Sequence, residues 1–173
     1  MELFEAIKDR RSVRRFKPDH VSDEDLNKIL RAGISAPSAG NRQSWEFVIV
    51  RDPKIRENLS RAAHEQNSLV EAPVVIVICA DAERSASRYG ERGRSLYSLQ
   101  DTAAAAQNIL LAAYELGYGT CWVGAFDEGM VAKTINAPAC ARPVILIPLG
   151  RPAEKPLPTS RLSLDDIMRH DGF

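Results

Sequence analysis

Apolar residues recur three or four positions apart in several segments of the chain, which is the spacing of one face of an α-helix. Capping residues and glycines bound these segments: Ser22 precedes the second, Gly33 is predicted to end it, and Gly117 and Gly119 to end the longest. The longest of these segments is rich in alanine and poor in charge, so we expect this helix to be buried. A subunit interface is one place where it could be buried. The predicted helices cover residues 3–10, 23–33, 53–63, 95–116, 128–136 and 164–168.

Four other segments, rich in β-branched and aromatic residues, predict strands at 45–50, 74–80, 120–125 and 144–150. The second is β-branched for most of its length, which is typical of a central strand buried on both faces. Pro148 in the fourth indicates an edge strand or a strand end. Helices outnumber strands and do not alternate strictly with them. The pattern therefore predicts an α+β layered fold, formed by residues 1–173 as a single domain, rather than a doubly wound sheet.

Four segments show neither pattern. Residues 10–16 form a basic loop, and residues 35–44 form a loop rich in turn formers and side-chain amides, called the amide loop below. Residues 81–93 are charged without an apolar period, so they are predicted to be a surface loop. The C-terminal tail, residues 151–173, has three prolines and several apolar residues, and we expect it to wrap over a partner subunit.

Composition narrows the class of protein. Of the 173 residues, 45% are hydrophobic, which is enough for a substantial core. Lys+Arg and Asp+Glu both number 23, and this zero net charge argues against a general nucleic-acid binder. No apolar run approaches a membrane span, and the first residues lack the layout of a signal peptide. The three scattered cysteines are interpreted as reduced thiols of a cytoplasmic protein.

The basic loop, Arg10-Arg11-Ser12-Val13-Arg14-Arg15-Phe16, is a candidate anion site because guanidiniums and a hydroxyl can converge on a phosphate. A solvated charge run and a kinase recognition site remain alternatives. The amide loop offers donors and acceptors that suit the pyrimidine edge of a flavin, although an ordinary turn explains it equally well. Gly124, at the end of a predicted strand, permits close approach of a ligand to the backbone. A tight turn would also explain a glycine at this position.

Other kinds of site find no support in the sequence. No glycine-rich phosphate-binding motif is present, and no G-x-S-x-G motif. The three histidines lack metal-ligand spacing with each other or with the cysteines. The acidic pairs have the pattern of solvated helix ends.

Taken in order, six blocks resemble the nitroreductase family of flavoproteins. Each block is weak alone, but the ordered set spans nearly the whole chain. Ser44 stands where proline is common before the tryptophan. The blocks are residues 10–16, 36–47, 71–77, 100–108, 117–126 and 147–152.

The resemblance implies a layered fold with a central mixed or antiparallel β-sheet flanked by helices, and a homodimer with FMN at the subunit interface. It implies hydride transfer from NADH or NADPH to the flavin, followed by reduction of a nitroaromatic, quinone, flavin or similar acceptor in a ping-pong cycle. No catalytic side chain is implied, because the flavin carries the redox chemistry. A non-catalytic protein that stores, delivers or senses FMN is the alternative, since only residues 81–93 are available for the lid that larger members have.

The family pattern also implies roles for individual residues. Phosphate contacts fall to Arg10, Arg11, Ser12 and, from the tail, Arg161, while Arg14 is expected beside the flavin pyrimidine. The amide loop is expected to reach the flavin from the partner subunit, and the Gly124 backbone amide to lie near the reactive nitrogen N5. The full predicted cofactor-binding set is Arg10, Arg11, Ser12, Arg14, Pro37, Ser38, Ala39, Asn41, Gln43, Gln66, Asn67, Val123, Gly124 and Arg161.

Overall fold

A four-stranded antiparallel sheet forms the centre of the computed structural model, which describes residues 2–173. Its strands, in chain order, are β1 (Trp45–Val50), β2 (Val74–Asp81), β3 (Gly119–Thr120) and β4 (Ala141–Gly150). The spatial order is β1-β2-β4-β3, so β2 pairs along its length with β1 on one side and with β4 on the other. The predicted α+β class and central sheet are confirmed.

The helices flank this sheet, and most begin where the sequence predicts. The side chains of Ser22, Asp52 and Asp127 each accept a hydrogen bond from a first-turn backbone N–H, which fixes three helix starts. Gly117, with φ +75°, follows the end of the longest helix as predicted. The helices are α1 (Leu3–Asp9), α2 (Asp23–Ile34), α3 (Pro53–Ala62), α4 (Ser68–Glu71), α5 (Ala82–Arg92), α6 (Ser98–Glu115), α7 (Glu128–Thr134) and α8 (Leu164–Ile167).

The apolar run of β2 is explained by a core on both faces of the sheet. Val74, Ile76 and Ile78 belong to a cluster with residues of α2 and α6. Val75 and Val77 alternate with them and pack against residues of α3 and α7 on the opposite face. Because successive side chains of a strand point to opposite faces, a strand between two helical layers must be apolar throughout.

Gly33 does not end α2, as the sequence predicts, but lies buried inside it. A Cβ at this position would lie 2.9 Å from Ile109 Cγ1 of α6, so the missing side chain lets the two helices approach closely. The helix continues to Ile34, and the N–H of Ser35 is bonded to carbonyls of the last turn. The glycine therefore serves packing and not termination.

The prediction of a surface loop at residues 81–93 is wrong. This segment is α5. Its N-cap is Asp81, whose carboxylate accepts a hydrogen bond from the backbone N–H of Arg84. The helix has no apolar stripe: its buried residue is Ser85, against which the buried Gly93, just after the helix, packs closely. A π-helical turn, Gly93–Tyr97, joins it to α6, so α6 begins at Ser98 and not at residue 95.

The predicted third strand, residues 120–125, is mostly irregular. Only Gly119 and Thr120 pair with β4, and a single bridge between Val123 and Leu146 follows. The carbonyl of Thr120 accepts a hydrogen bond from the N–H of Val13, so this carbonyl is bonded to the basic loop. Because β4 lies between β2 and β3, it is not an edge strand, and Pro148 lies within it, opposite Val75 and two residues before Gly150.

Several large apolar side chains are exposed on the chain. Leu3, Phe4 and Ile7 of α1 are 63%, 83% and 51% exposed, although the sequence places them on one helix face. The tail is exposed from residue 153 onward apart from the half-buried Pro156, and its wrapping over a partner stays a prediction. Among residues 2–173, no helix combines the length and apolar character needed to cross a membrane.

The close contact at Gly33 gives a prediction about stability. Gly33→Ala should lower the free energy of unfolding by about 1–3 kcal/mol, because the new methyl group overpacks against the buried Ile109. The matched control is Gly129→Ala in α7, where a Cβ meets only Asp127 Oδ1 at 3.4 Å. There the helix propensity of alanine should stabilise by up to about 1 kcal/mol. Urea denaturation measures both, and equal effects would contradict the packing account.

Candidate functional site

The backbone of the basic loop is fixed by neighbours on both sides. Val13 N–H donates to Thr120 O at 2.8 Å, next to a parallel bridge between Ser12 and Thr120. On the other side Phe16 is bridged to Pro152, flanked by bonds from Lys17 N–H to Arg151 O and from Ala153 N–H to Arg15 O, both 2.9 Å. The loop thus lies between Thr120, the last residue of β3, and the segment after β4.

Two carboxylates hold backbone amides of the same loop. Glu154 Oε1 accepts from Arg14 N–H at 2.6 Å and from Arg15 N–H at 3.2 Å. Glu71 Oε2 accepts from Phe16 N–H at 3.2 Å and from Arg15 Nε at 3.1 Å. Sequence reasoning assigned neither residue a role, since nothing near them in sequence indicates their partners. Glu71 and Glu154 thus position the backbone of the loop, and neither forms an ion pair with the guanidinium of Arg14.

Four arginines converge on one cavity of about 180 Å³ beside this loop. Among residues 2–173, none of these four forms an ion pair with an Asp or Glu. Burial lowers the pKa of Arg10, and the positive charges of Arg11 and Arg161 lower it further. The cavity is therefore a cationic site whose mutual repulsion a bound anion would relieve. Its lining residues are Arg10, Arg11, Ser12, Arg14, Pro156, Leu157, Thr159 and Arg161.

The cationic cavity adjoins the segment from Cys121 to Ala125. Burial raises the pKa of the Cys121 thiol, opposed by the charge of Arg14, a hydrogen bond with Ser12 and the charge of Arg10, which shows how near these groups lie. Val123 exchanges two backbone hydrogen bonds with Leu146, which fixes the segment ahead of the exposed Gly124.

Gln66 and Asn67 differ in their relation to this segment. Gln66 Nε2 donates to Ala125 O at 3.4 Å, whereas Asn67 is exposed and uses its carbonyl in the turn of α4. The structure thus brings Gln66, and not the Asn67 side chain, to the residues around Gly124.

The amide loop is anchored separately, by the buried carboxylate of Asp101 in α6. Its Oδ1 accepts from Ala39 N–H at 2.9 Å, and its Oδ2 accepts from Ser44 Oγ at 2.6 Å. Between these anchors, Asn41 and Gln43 have φ values of +54° and +51°. Their side chains are exposed. The loop is therefore ordered by one carboxylate and presents its amides outward. The helix has two acids, Asp101 and Glu115, and the position of Asp101 among small and apolar residues was the available sequence signal.

The predicted site residues fall into two groups in the structure. In the first group, the cationic cavity is lined by Arg10, Arg11, Ser12, Arg14 and Arg161. Val123 and Gly124 lie in the Cys121–Ala125 segment, which contacts Ser12 through Cys121 and Gln66 through Ala125. The amide loop carries Pro37, Ser38, Ala39, Asn41 and Gln43. Within residues 2–173, no hydrogen bond or ion pair joins the amide loop to the basic loop. The two groups are therefore not linked by a direct polar contact within one chain. The described residues also contain no metal-type cluster of three or more His, Cys, Asp or Glu.

Removing the Asp101 anchor should loosen the amide loop. Asp101→Ala leaves Ala39 N–H and Ser44 Oγ without their acceptor and should destabilise the protein by about 2–4 kcal/mol. Hydrogen exchange should accelerate in residues 38–44 beyond the change elsewhere. The control is Asp19→Ala at an exposed loop position, expected within about 0.5 kcal/mol of wild type. Unchanged exchange in the loop would show that Asp101 does not hold it.

Comparison with known proteins identifies the family of the chain. Residues 7–71 and 66–151 match the profile of the nitroreductase family. A Thermus thermophilus protein named NADH dehydrogenase is 34% identical, over 92% of this chain and 91% of its own length. Nitroreductase A from Vibrio parahaemolyticus has 27% identity and a TM-score of 0.90, covering 98% of this chain and 75% of that one. A nitroreductase family protein from Clostridium novyi has 32% identity and a TM-score of 0.80, covering 89% and 87%. The chain belongs to the nitroreductase family.

Proposed function

We propose that residues 1–173 act as one FMN-binding domain of an oxidoreductase that takes electrons from NADH or NADPH and passes them to a small-molecule acceptor. Membership in the nitroreductase family supports the reaction class. Related proteins carry names that specify either donor: a Thermus thermophilus relative is called NADH dehydrogenase, and a Staphylococcus aureus relative NADPH-dependent oxidoreductase. The name of the Vibrio relative, nitroreductase A, supports a nitroaromatic acceptor, and quinones and flavins are further candidates.

The observation that carries the proposal is the cationic cavity. A phosphate monoester needs several donors that converge from a fixed backbone, and guanidiniums supply them in forked geometry. Arg10, Arg11 and Arg161 line this cavity with Ser12, without ion-pair partners among the described residues. The donor set therefore fits the phosphate of FMN, and we expect Arg14, which lines the same cavity, to lie beside the pyrimidine ring.

The second half of the proposed site comes from another copy of the chain. The amides of Asn41 and Gln43 are exposed and match the mixed donors and acceptors of a flavin pyrimidine, yet they are not joined to the basic loop of their own chain. The exposed apolar side chains of α1 and of the tail, among them Phe4 and Leu157, need cover. A homodimer with FMN between its subunits, and with the tail wrapped over the partner, meets both requirements.

The residues of the chain have supporting roles in the proposed reaction. When bound, FMN supplies the redox chemistry, a hydride being accepted from the nicotinamide and two electrons then delivered to the acceptor. Arg14 is positioned to stabilise negative charge on the pyrimidine, and the Gly124 N–H is available as a donor at the ring. Since the spent nicotinamide must leave before the acceptor enters the same pocket, the cycle is ping-pong.

Arg10 gives a direct test of the phosphate site. Arg10→Ala removes a charge-assisted contact worth about 1.5–3 kcal/mol and should weaken FMN binding roughly 10- to 150-fold. The control, Arg31→Ala, removes the same charge from an exposed position of α2 and should leave FMN affinity unchanged. Fluorescence titration with FMN measures both. Equal affinities for wild type and the Arg10 variant would exclude Arg10 from the site.

Stopped-flow mixing tests turnover. The FMN-loaded protein should lose its visible flavin absorbance on mixing with NADH or NADPH, and regain it when a quinone or nitroaromatic is added without oxygen. Bleaching and recovery in separate half-reactions are what a ping-pong cycle requires. A protein that binds FMN but is bleached by neither donor would instead be a flavin store or sensor.

A further inference from the structure

Helix α5 and the amide loop form one structural unit. Arg42 of the loop donates from Nε to Arg84 O at 3.0 Å and from its terminal nitrogen to Ser87 Oγ at 2.6 Å. Arg84 in turn donates to Gln43 O at 2.8 Å. Whatever ligand the amide loop meets is therefore also near α5.

The contact is closest at Gly40, whose φ of +53° belongs to the left-handed region. A Cβ at this position would meet the hydroxyl of Tyr89 and would lie 3.1 Å from a guanidinium nitrogen of Arg88. The glycine therefore lets two side chains of α5 come directly against the loop. We call Arg88, Tyr89, Arg92 and Tyr97 the arginine–tyrosine cluster.

The cluster is held together by contacts of its rings and cations. The Tyr89 and Tyr97 rings meet edge to face with centroids 5.2 Å apart. Arg88 lies over the Tyr89 ring at 5.5 Å, and Arg92 lies over the Tyr97 ring at 5.3 Å. Arg92 Nε also donates to the Tyr97 hydroxyl at 2.9 Å. Two cations and two aromatic rings thus form one continuous surface.

The charges of α5 are neutralised selectively. Arg84 pairs with Asp81 and Glu46, and Arg94 pairs with Glu83 and Glu91. In the part of the chain that the structure describes, Arg88 and Arg92 have no carboxylate within ion-pair distance, because the two acids of α5, Glu83 and Glu91, pair with Arg94 of the turn that follows. Their guanidiniums keep free donors beside the aromatic rings. This combination suits a phosphate monoester attached to a flat heteroaromatic group.

We propose that the arginine–tyrosine cluster binds the adenosine 2′-phosphate of NADPH and makes NADPH the preferred donor. The inference rests on the proposed function, in which the nicotinamide lies at a flavin that the amide loop borders. The other end of the dinucleotide then extends past Gly40 towards α5. NADH and NADPH differ only in the 2′-phosphate, so two unpaired arginines at this place discriminate between them. Each charge-assisted contact corresponds to roughly a tenfold or greater preference.

Binding can be measured without turnover. Calorimetric titration of the FMN-loaded protein with adenosine 2′,5′-bisphosphate and with 5′-AMP should show at least a tenfold preference for the former. Arg88→Gln/Arg92→Gln should abolish the preference, whereas Arg31→Gln on α2 should retain it. Because both arginines are exposed, raising the salt concentration should also reduce the preference of the wild-type protein for the bisphosphate. Equal affinities in wild type, absence of binding, or an undiminished preference in the double variant would each overturn the proposal.

Kinetics separate this proposal from the proposed function. The ratio of kcat/KM for NADPH to that for NADH should fall about tenfold or more in the double variant, chiefly through KM for NADPH. A parallel loss with both donors would overturn the subsite and leave the oxidoreductase intact. A wild-type flavin that neither donor bleaches would instead refute the proposed function, while the titration still decides whether the cluster recognises the 2′-phosphate.

Discussion

The accumulation of positive charge at the basic loop is the constraint on which the site depends. Burial lowers the pKa of Arg10, and repulsion from Arg11 and Arg161 lowers it further, while no acid among residues 2–173 forms an ion pair with any of the three. The backbone must therefore hold the loop against this repulsion. It does so through Thr120 on one side and residues 151–153 on the other, while Glu71 and Glu154 bond backbone amides and leave the cavity itself cationic.

The sheet explains why the loop can be held so firmly. The pairing of β4 with β2 and β3, between helical layers on both faces, fixes the end of β4 and the short strand β3. The basic loop bonds to Thr120 of β3 through Val13 and is bridged to Pro152, just after β4, through Phe16. The amide loop depends on a different anchor, Asp101 in α6. The two halves of the proposed site are thus held by separate anchors, and the proposed dimer would bring a basic loop and an amide loop together.

The sequence predicts the elements whose causes are local. The strands β1, β2 and β4 and the caps at Ser22, Asp52 and Asp127 follow from side-chain pattern and capping chemistry. The sequence does not predict features that depend on contacts between distant residues. Helix α5 has no apolar stripe and is therefore not predicted to be a helix, and Gly33 lies inside α2 because it packs against Ile109. The cations of the site were visible in the sequence, but the acids that position them, Glu71 and Glu154, act across 55 and 140 positions.

The most direct test of the account is complementation between two damaged chains. One carries Arg10→Ala and Arg14→Ala in the basic loop, and the other carries Asn41→Ala and Gln43→Ala in the amide loop. Each alone should bind little FMN, because every site in its homodimer is damaged. Produced together in one cell, they should form hybrids with one intact site, and random pairing restores about a quarter of wild-type flavin content. Flavin content no higher than the mean of the two variants alone would contradict a site shared between two chains.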